Sequence, residues 1–283
     1  MIIDFHTHAF PDELAGRAVS KLSAMSHIPA FSDGTYRALS ASAREAGVDL
    51  SIVLPVATSA KPVATINDTA ARVNEHTRET NLLSFAGIHP DTPIAREELG
   101  NIASLGFKGI KLHPVYQGVD LDDPRYLRIL DRAGELGLIV VTHAGMDIGY
   151  PGEIRCSPEM VLNVLRQAGP VTLVLAHMGG WRQWDRAREL LAGTSVWLDT
   201  AFSLGAITPL NDGYYAPEDL PLLDQEGFLR MVDAFGADRL LFGTDSPWSA
   251  QRPDIEWIRA LPLSKEQKDA ILGGNARRLL GLA

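Results

Sequence analysis

Apolar residues along this chain come in eight short runs, each closed by glycine, proline or a polar residue. They are IIDFHTH (2–8), DLSIVLPV (49–56), LLSFAGIHP (82–90), FKGIKLHP (107–114), LIVVTHAG (138–145), VTLVLAHMGG (171–180), VWLDTAF (196–202) and RLLFGTDSPW (239–248). Runs this short, rich in branched or bulky apolar residues, read as buried parallel strands. Between them apolar positions recur at helical spacing, in 35–47, 66–80, 96–106, 123–137, 157–169, 181–193 and 227–236. The tail supplies an eighth helix, 264–274, and a short closing one, 275–283. Asp123 before Pro124 and Ser157 before Pro158 read as N-caps followed by a first-turn proline. Gly47, Gly106, Gly137, Gly169, Gly193 and Gly236 read as helix stops. Eight strands alternating with eight helices predict an α/β fold, a (β/α)8 TIM barrel, as a single domain over 1–283. A doubly wound open sheet would have fewer strands and a glycine-rich first turn. The longest irregular stretches, 9–34 and 203–225, are expected to cover one end of the barrel.

Charge and composition narrow the function without choosing it. The formal net charge is -9, with no basic stripe, which argues against nucleic acid or an anionic membrane as partner. No apolar run approaches the roughly 20 residues of a membrane span. The start lacks the charged, apolar and small-residue sequence of a signal peptide. Cys156, the single cysteine, makes no internal disulfide and is read as an incidental thiol. A reducing cytoplasm is the expected location.

Chemistry in such a barrel gathers at the C-terminal ends of the strands. There the sequence places His6 and His8, His89, Lys111 and His113, His143, His177 and Asp245, whereas His27 and His76 fall in a loop and a helix. Alternation in an extended first strand predicts that Asp4, His6 and His8 share one face. Two imidazoles at one strand end can bind one cation together. With His143 and Asp245 they make three nitrogens and one carboxylate, a set suited to zinc or a similar divalent ion with room for water. His113 shares a face with Lys111 and is either a ligand or catalyst, or a hydrogen-bonded structural residue; His89 is read as structural. Asp4 is expected to support an imidazole or the barrel floor rather than to bind metal. Asp199 in WLDTA is a further candidate site residue. Arg155 in YPGEIRCSP is either a carboxylate-binding cation at the fifth-strand mouth or a solvated loop residue. Tyr116, Trp181, Phe202 and Trp248 lie just past strand ends and fit either an apolar pocket or core packing.

Taken together, DFHTH, GFKGIKLHP, VVTHAG, VLAHMGG, LLFGTDSPW and GNARRLLGL resemble the amidohydrolase superfamily. More narrowly, the chain is similar, from residue 2 to about 282, to the amidohydrolase-related branch that includes aminocarboxymuconate-semialdehyde decarboxylase. The resemblance implies a metal-dependent hydrolase-type barrel in which His6, His8 and His143 are metal ligands. It implies that Asp245 binds the metal or takes a proton from its water, and that His177 ligates a second metal or acts as an acid. Lys111 occupies the strand where some members carry a carbamylated lysine bridging two metals. One divalent ion, zinc by expectation, is favoured over a binuclear site with carbamylated Lys111, His113 or His177.

The resemblance implies a small-molecule substrate and permits a homodimer. Hydrolysis of a small ester, lactone or amide is the favoured reaction: the metal supplies activated water, Asp245 the base, and His177 polarises the carbonyl. The alternative is non-oxidative decarboxylation of a small aromatic or unsaturated acid on the same ligands, with Arg155 a candidate holder of the carboxylate. A barrel that binds without turnover is the third reading, and the intact set of His6, His8, His143, His177 and Asp245 argues against it.

Overall fold

The computed structural model describes residues 1–282. Its strands are β1 (Ile3–Thr7), β2 (Leu50–Val53), β3 (Leu82–Ser84), β4 (Ala86–Gly87), β5 (Gly109–Leu112), β6 (Ile139–Thr142), β7 (Met146–Asp147), β8 (Tyr150–Ile154), β9 (Thr172–Leu175), β10 (Trp197–Asp199) and β11 (Leu240–Leu241). Parallel pairing runs β1–β2–β3 on one side and β4–β5–β6–β9–β10–β11 on the other. The two sheets are one wall. Only Phe85 separates β3 from β4, and its N–H still donates to Val53 O at 2.9 Å. Closure comes where the first and last strands meet: Phe5 N donates to Phe242 O at 2.7 Å, and Asp245 N to His6 O at 2.8 Å. Every barrel strand expected from the sequence is present, and the fold is a (β/α)8 barrel.

Registration separates the inward from the outward residues. Gly109, Lys111, Ile139 and Val141 stand in register on β5 and β6, and Ile3, Phe5, Ile52, Phe85, Val141 and Val174 form one buried cluster inside the wall. Alternate residues such as Ile110, Leu112 and Val140 join the larger cluster between wall and helices. In β1 this alternation is broken. Asp4 pairs with Ser51 but Thr7 with Val53, so β1 takes three steps where β2 takes two. The extra residue is a bulge. It lets Phe5, His6 and His8 all reach the inner side, and it puts Asp4 on the outer side. The expectation that Asp4, His6 and His8 share one face is therefore corrected.

The elements around the barrel depart from the expected pattern in three places. Asp12–Ser26 is a helix within the stretch expected to be irregular; it buries only Ala15 and Ser26, so it carries no apolar stripe to read. Gln251–Ala260 is the helix that follows β11, with Pro253 tolerated in its first turn. The tail, Lys265–Asp269 and Asn275–Leu280 joined by the wide turn Ala270–Gly274, is thus an addition rather than the eighth barrel helix. It closes the N-terminal end, where Phe242 N donates to Ile271 O and Asn275 Nδ2 to Leu240 O. The caps at Asp123 and Ser157 accept backbone N–H groups as expected, but the helix ahead of Gly169 ends at an extended Ala168. The third difference is an antiparallel hairpin, β7–β8, after the fifth barrel strand. Among the described residues no helix is long and apolar enough to cross a membrane.

Candidate metal centre

The bulge in β1 aims two imidazoles inward, and β11 brings a carboxylate to meet them. His8 Nε2 lies 3.1 Å and His6 Nε2 3.4 Å from Asp245 Oδ1. Each ring is held by its other nitrogen. His6 Nδ1 is 2.8 Å from Asp199 Oδ2, and His8 Nδ1 is 2.8 Å from Leu54 O. Both partners are acceptors, so each Nδ1 carries the hydrogen and each Nε2 a lone pair. Two lone pairs then face one carboxylate oxygen, an arrangement that a positive charge between them satisfies.

A second facing pair lies next to the first. His177 Nδ1 is 2.8 Å from Ala201 O, and His143 Nε2 is 3.0 Å from Met146 O. The remaining atoms, His177 Nε2 and His143 Nδ1, meet at 3.0 Å, again lone pair to lone pair. The His177 ring is 5.4 Å from that of His6. Thus His6, His8 and Asp245 form one compact group, while His143 stands one ring away, behind His177.

Other residues support these rings. Asp199 is fully buried and its Oδ1 accepts from His177 N and Ala201 N, so a single carboxylate ties β10 to both His6 and His177. Asp4 faces away; its oxygens accept from Thr244 N at 3.0 Å and Thr244 Oγ1 at 2.7 Å, which locks β1 to the residues just after β11. Asp245 and His177 both occupy the left-handed region, at φ 68° and 59°. For residues other than glycine this is strained backbone, and such strain gathers at functional sites. Lys111 is buried with its Nζ 3.2 Å from His6 Nε2.

Burial sets the charge states. It pulls His6 down to about 4, helped by the Lys111 ammonium and opposed by Asp199. His143 and His113 are driven well below the usual histidine range by burial and by the neighbouring imidazoles, and His177 falls through burial against the pull of Asp245. Neutral imidazole is the form that binds metal. For Asp245, burial works upward but is outweighed by the surrounding imidazoles of His8, His6 and His177, leaving it an anion. Lys111 is lowered to about 8 by burial, with Asp199 and Asp245 opposing. Two or three neutral imidazoles and an ionised carboxylate are a donor set for a divalent ion of the zinc class.

The remaining candidates are sorted by the structure. His113 stacks on His143 at 4.3 Å and on Tyr116 at 3.9 Å. Arg155 is engaged at the surface, by Asp120 at 3.1 Å and Glu153 at 3.2 Å, and the residue of the hairpin that meets the histidines is Asp147. Asp147 had no motif to announce it; its one sequence signal is its place four residues after His143. Cys156 is buried and its thiol is pushed up to about 12 by burial, which fits an inert side chain. Trp181 packs with Phe202 and Trp248 in one apolar cluster beside the barrel mouth.

A family model for amidohydrolases matches residues 3–282. The chain belongs to the amidohydrolase family. Among curated proteins this amidohydrolase is similar to a 2-amino-3-carboxymuconate-6-semialdehyde decarboxylase of Dictyostelium discoideum, at 26% identity over 204 residues. That match covers 64% of this chain and 55% of the relative's length. Among solved structures it resembles the 5-carboxyvanillate decarboxylase of Sphingomonas paucimobilis, with a TM-score of 0.67, 17% identity and coverage of 100% and 99% of the two chains. It also resembles a 2,6-dihydroxybenzoate decarboxylase from Rhizobium, with a TM-score of 0.68, 16% identity and coverage of 99% and 98%. At these identities the structures speak to the barrel fold; the family is metal-dependent, and this amidohydrolase has the residue groups for it.

Proposed function

We propose that this amidohydrolase catalyses the metal-dependent, non-oxidative decarboxylation of a small aromatic or unsaturated carboxylic acid. The observation that carries the reading is the buried Lys111 cation beside the His6–His8–Asp245 donor group. Together they offer a substrate carboxylate two positive positions in one small space. The curated relative, a decarboxylase at 26% identity, supports the same choice over hydrolysis, the reaction favoured from the sequence.

His6, His8 and Asp245 would hold the ion, with His143 and His177 presenting the adjacent nitrogens. Bound there, a divalent cation supplies Lewis-acid charge to a carboxylate and a neighbouring oxygen. Asp199 keeps His6 in the tautomer that leaves Nε2 free. Lys111, as a free ammonium, pairs with the departing carboxylate and counters its desolvation. His177 holds one ring nitrogen against Ala201 O, so Nε2 is its proton-exchanging atom. In the reaction the bond between the carboxyl carbon and its neighbour breaks. The electron pair stays on that neighbour, which takes a proton that His177 Nε2 has first accepted from solvent, and carbon dioxide leaves.

The test is a product assay on protein loaded with Zn(II) or Mn(II). Substrates would be 2,6-dihydroxybenzoate, 5-carboxyvanillate and 2-amino-3-carboxymuconate-6-semialdehyde, with a pyrone dicarboxylate lactone as the hydrolytic control. Carbon dioxide release that is abolished in His177→Asn is the expected result. Ring opening of the lactone without carbon dioxide from any acid would return the reaction to hydrolysis.

A further inference from the structure

Directly after the fifth barrel strand the chain folds into the β7–β8 hairpin, and this turn lays Asp147 over two stacked imidazoles. Asp147 Oδ2 lies 3.6 Å from His113 Nε2 and 3.8 Å from His143 Nε2, and all three residues are buried. By spacing alone, this trio resembles a second metal cage. The hydrogen-bond partners argue otherwise. His143 Nε2 is 3.0 Å from Met146 O, which can only accept, so that nitrogen carries the hydrogen. His113 Nδ1 is 3.4 Å from Tyr116 N, which can only donate, so Nδ1 is bare and Nε2 carries the hydrogen. Both Nε2 atoms therefore carry their hydrogen on the side of the same carboxylate. That of His143 is donated to Met146 O, and Asp147 Oδ2 lies just beyond hydrogen-bond distance of both.

The carboxylate is fixed in turn. Its Oδ1 accepts from Gly149 N at 2.8 Å, across the hairpin. The two rings are 4.3 Å apart and only 14° from parallel, so one anion faces the edge of both. Holding Nε2 of His143 as a donor leaves Nδ1 as a lone pair, aimed at His177 Nε2 and the metal centre. A carboxylate behind a ligating histidine fixes its tautomer and raises its basicity.

We propose that Asp147 is a positioning residue whose charge, beside the acceptor Met146 O, helps hold His143 in the Nε2–H tautomer and so keeps its Nδ1 available as a metal donor. The inference rests on the metal centre proposed above. It also gives the hairpin a role: the segment carries the group that sets the fifth-strand histidine.

Co(II) is the probe, because its visible absorption reports the ligand field directly. Wild type, Asp147→Asn, Asp147→Glu and Asp147→Leu would be compared for Co(II) stoichiometry, for affinity by chelator competition and for the absorption band. A cooperative thermal melt checks that each variant is folded. Asp147→Leu is expected to bind Co(II) about 10- to 100-fold more weakly, with a shifted band, the usual scale for losing such a support. Asp147→Glu should recover part of the affinity. Asp147→Asn nearly preserves the shape, so it carries the test if the leucine variant does not fold. Unchanged affinity and spectrum in the folded Asn and Leu variants would overturn the inference and leave the metal centre standing. So would loss of one whole equivalent with the other still tight, because that would make Asp147 a ligand. A wild type that takes up no Co(II) would overturn both.

Discussion

His6 turns its Nδ1 to Asp199 Oδ2 at 2.8 Å, and this contact across the barrel decides which nitrogen of His6 faces Asp245. Asp199 →Asn is expected to separate tautomer from fold. Its Oδ1 still accepts from His177 N and Ala201 N, but an amide N–H facing His6 Nδ1 drives the hydrogen to Nε2 and blocks the metal side. Divalent-metal affinity should fall about 10- to 100-fold with the thermal midpoint of the metal-free protein little changed. Asp199→Ala, which leaves three buried donors without an acceptor, should lose roughly 1–3 kcal/mol of stability as well. Chelator titration and urea denaturation read the two effects apart; equal affinity in wild type and the asparagine variant would refute the tautomer argument.

A ligand that binds only the folded chain raises its stability in proportion to the logarithm of its concentration over Kd. His8 is held by Leu54 O at the edge of the cluster and carries little of the core. His8→Ala is therefore expected to melt within about 2 °C of wild type in excess chelator, a small change for a substitution away from the packed interior. Added Zn(II) should raise the wild-type midpoint and leave that of His8→Ala in place. Equal stabilisation of both by metal would place the ion elsewhere.

Arg155 illustrates where sequence alone misplaces a charge. It lies in the right loop, but the hairpin turns its guanidinium outward to Asp120 and Glu153. Arg155→Gln is expected to leave kcat and KM within about twofold of wild type, since exposed ion pairs contribute only about 0–1 kcal/mol. A rise in KM of tenfold or more would restore Arg155 to the site.

The barrel was legible because its strands are buried on both sides and read as unbroken apolar runs, each followed by the polar residues of the open end. The histidines were legible for the same reason: position at a strand end is set by the run before it. What escaped were features decided by contacts distant in sequence. The bulge that moves Asp4 to the outer side depends on how β1 registers against β2. The helix Asp12–Ser26 buries too little to leave a pattern. Asp147 reaches the cluster only because a hairpin folds back, and the grouping of His143 with His177 follows from which ring nitrogen each backbone carbonyl takes.

Gly145 lets two loops of the site approach each other. At φ 84°, it pairs with Trp181, and a Cβ built on it would sit 2.2 Å from Trp181 N. Neither the backbone angle nor the space admits a side chain. Gly145→Ala is expected to cost on the order of 3 kcal/mol, the sum of left-handed strain and overpacking. Because His143 lies two residues away, metal affinity should drop with it. Urea denaturation with a midpoint equal to that of wild type would show that the loops can separate without penalty.

Asp4 gives the fold a pH dependence of its own. Burial pushes its carboxyl from the ordinary 3.8 up to about 8, against the hydrogen bonds from Thr244. Below 3.8 the folded and unfolded chains both hold this proton, and its contribution to stability is fully present. Between 3.8 and about 8 the unfolded chain has released the proton while the folded chain keeps it. Stability therefore falls as pH rises through that window, by up to about 1.4 kcal/mol per pH unit for a single fully linked proton. Asp4→Asn stays neutral throughout, can accept from Thr244 N, and can donate to Thr244 Oγ1. The midpoint of its thermal melt, recorded in chelator at pH 5, 6.5 and 8, is expected to decline less steeply than that of wild type, with the variant gaining on wild type toward pH 8. Parallel curves would mean that Asp4 is ionised in the fold, and that Thr244 holds a charge rather than a neutral acid at the seam where the barrel closes.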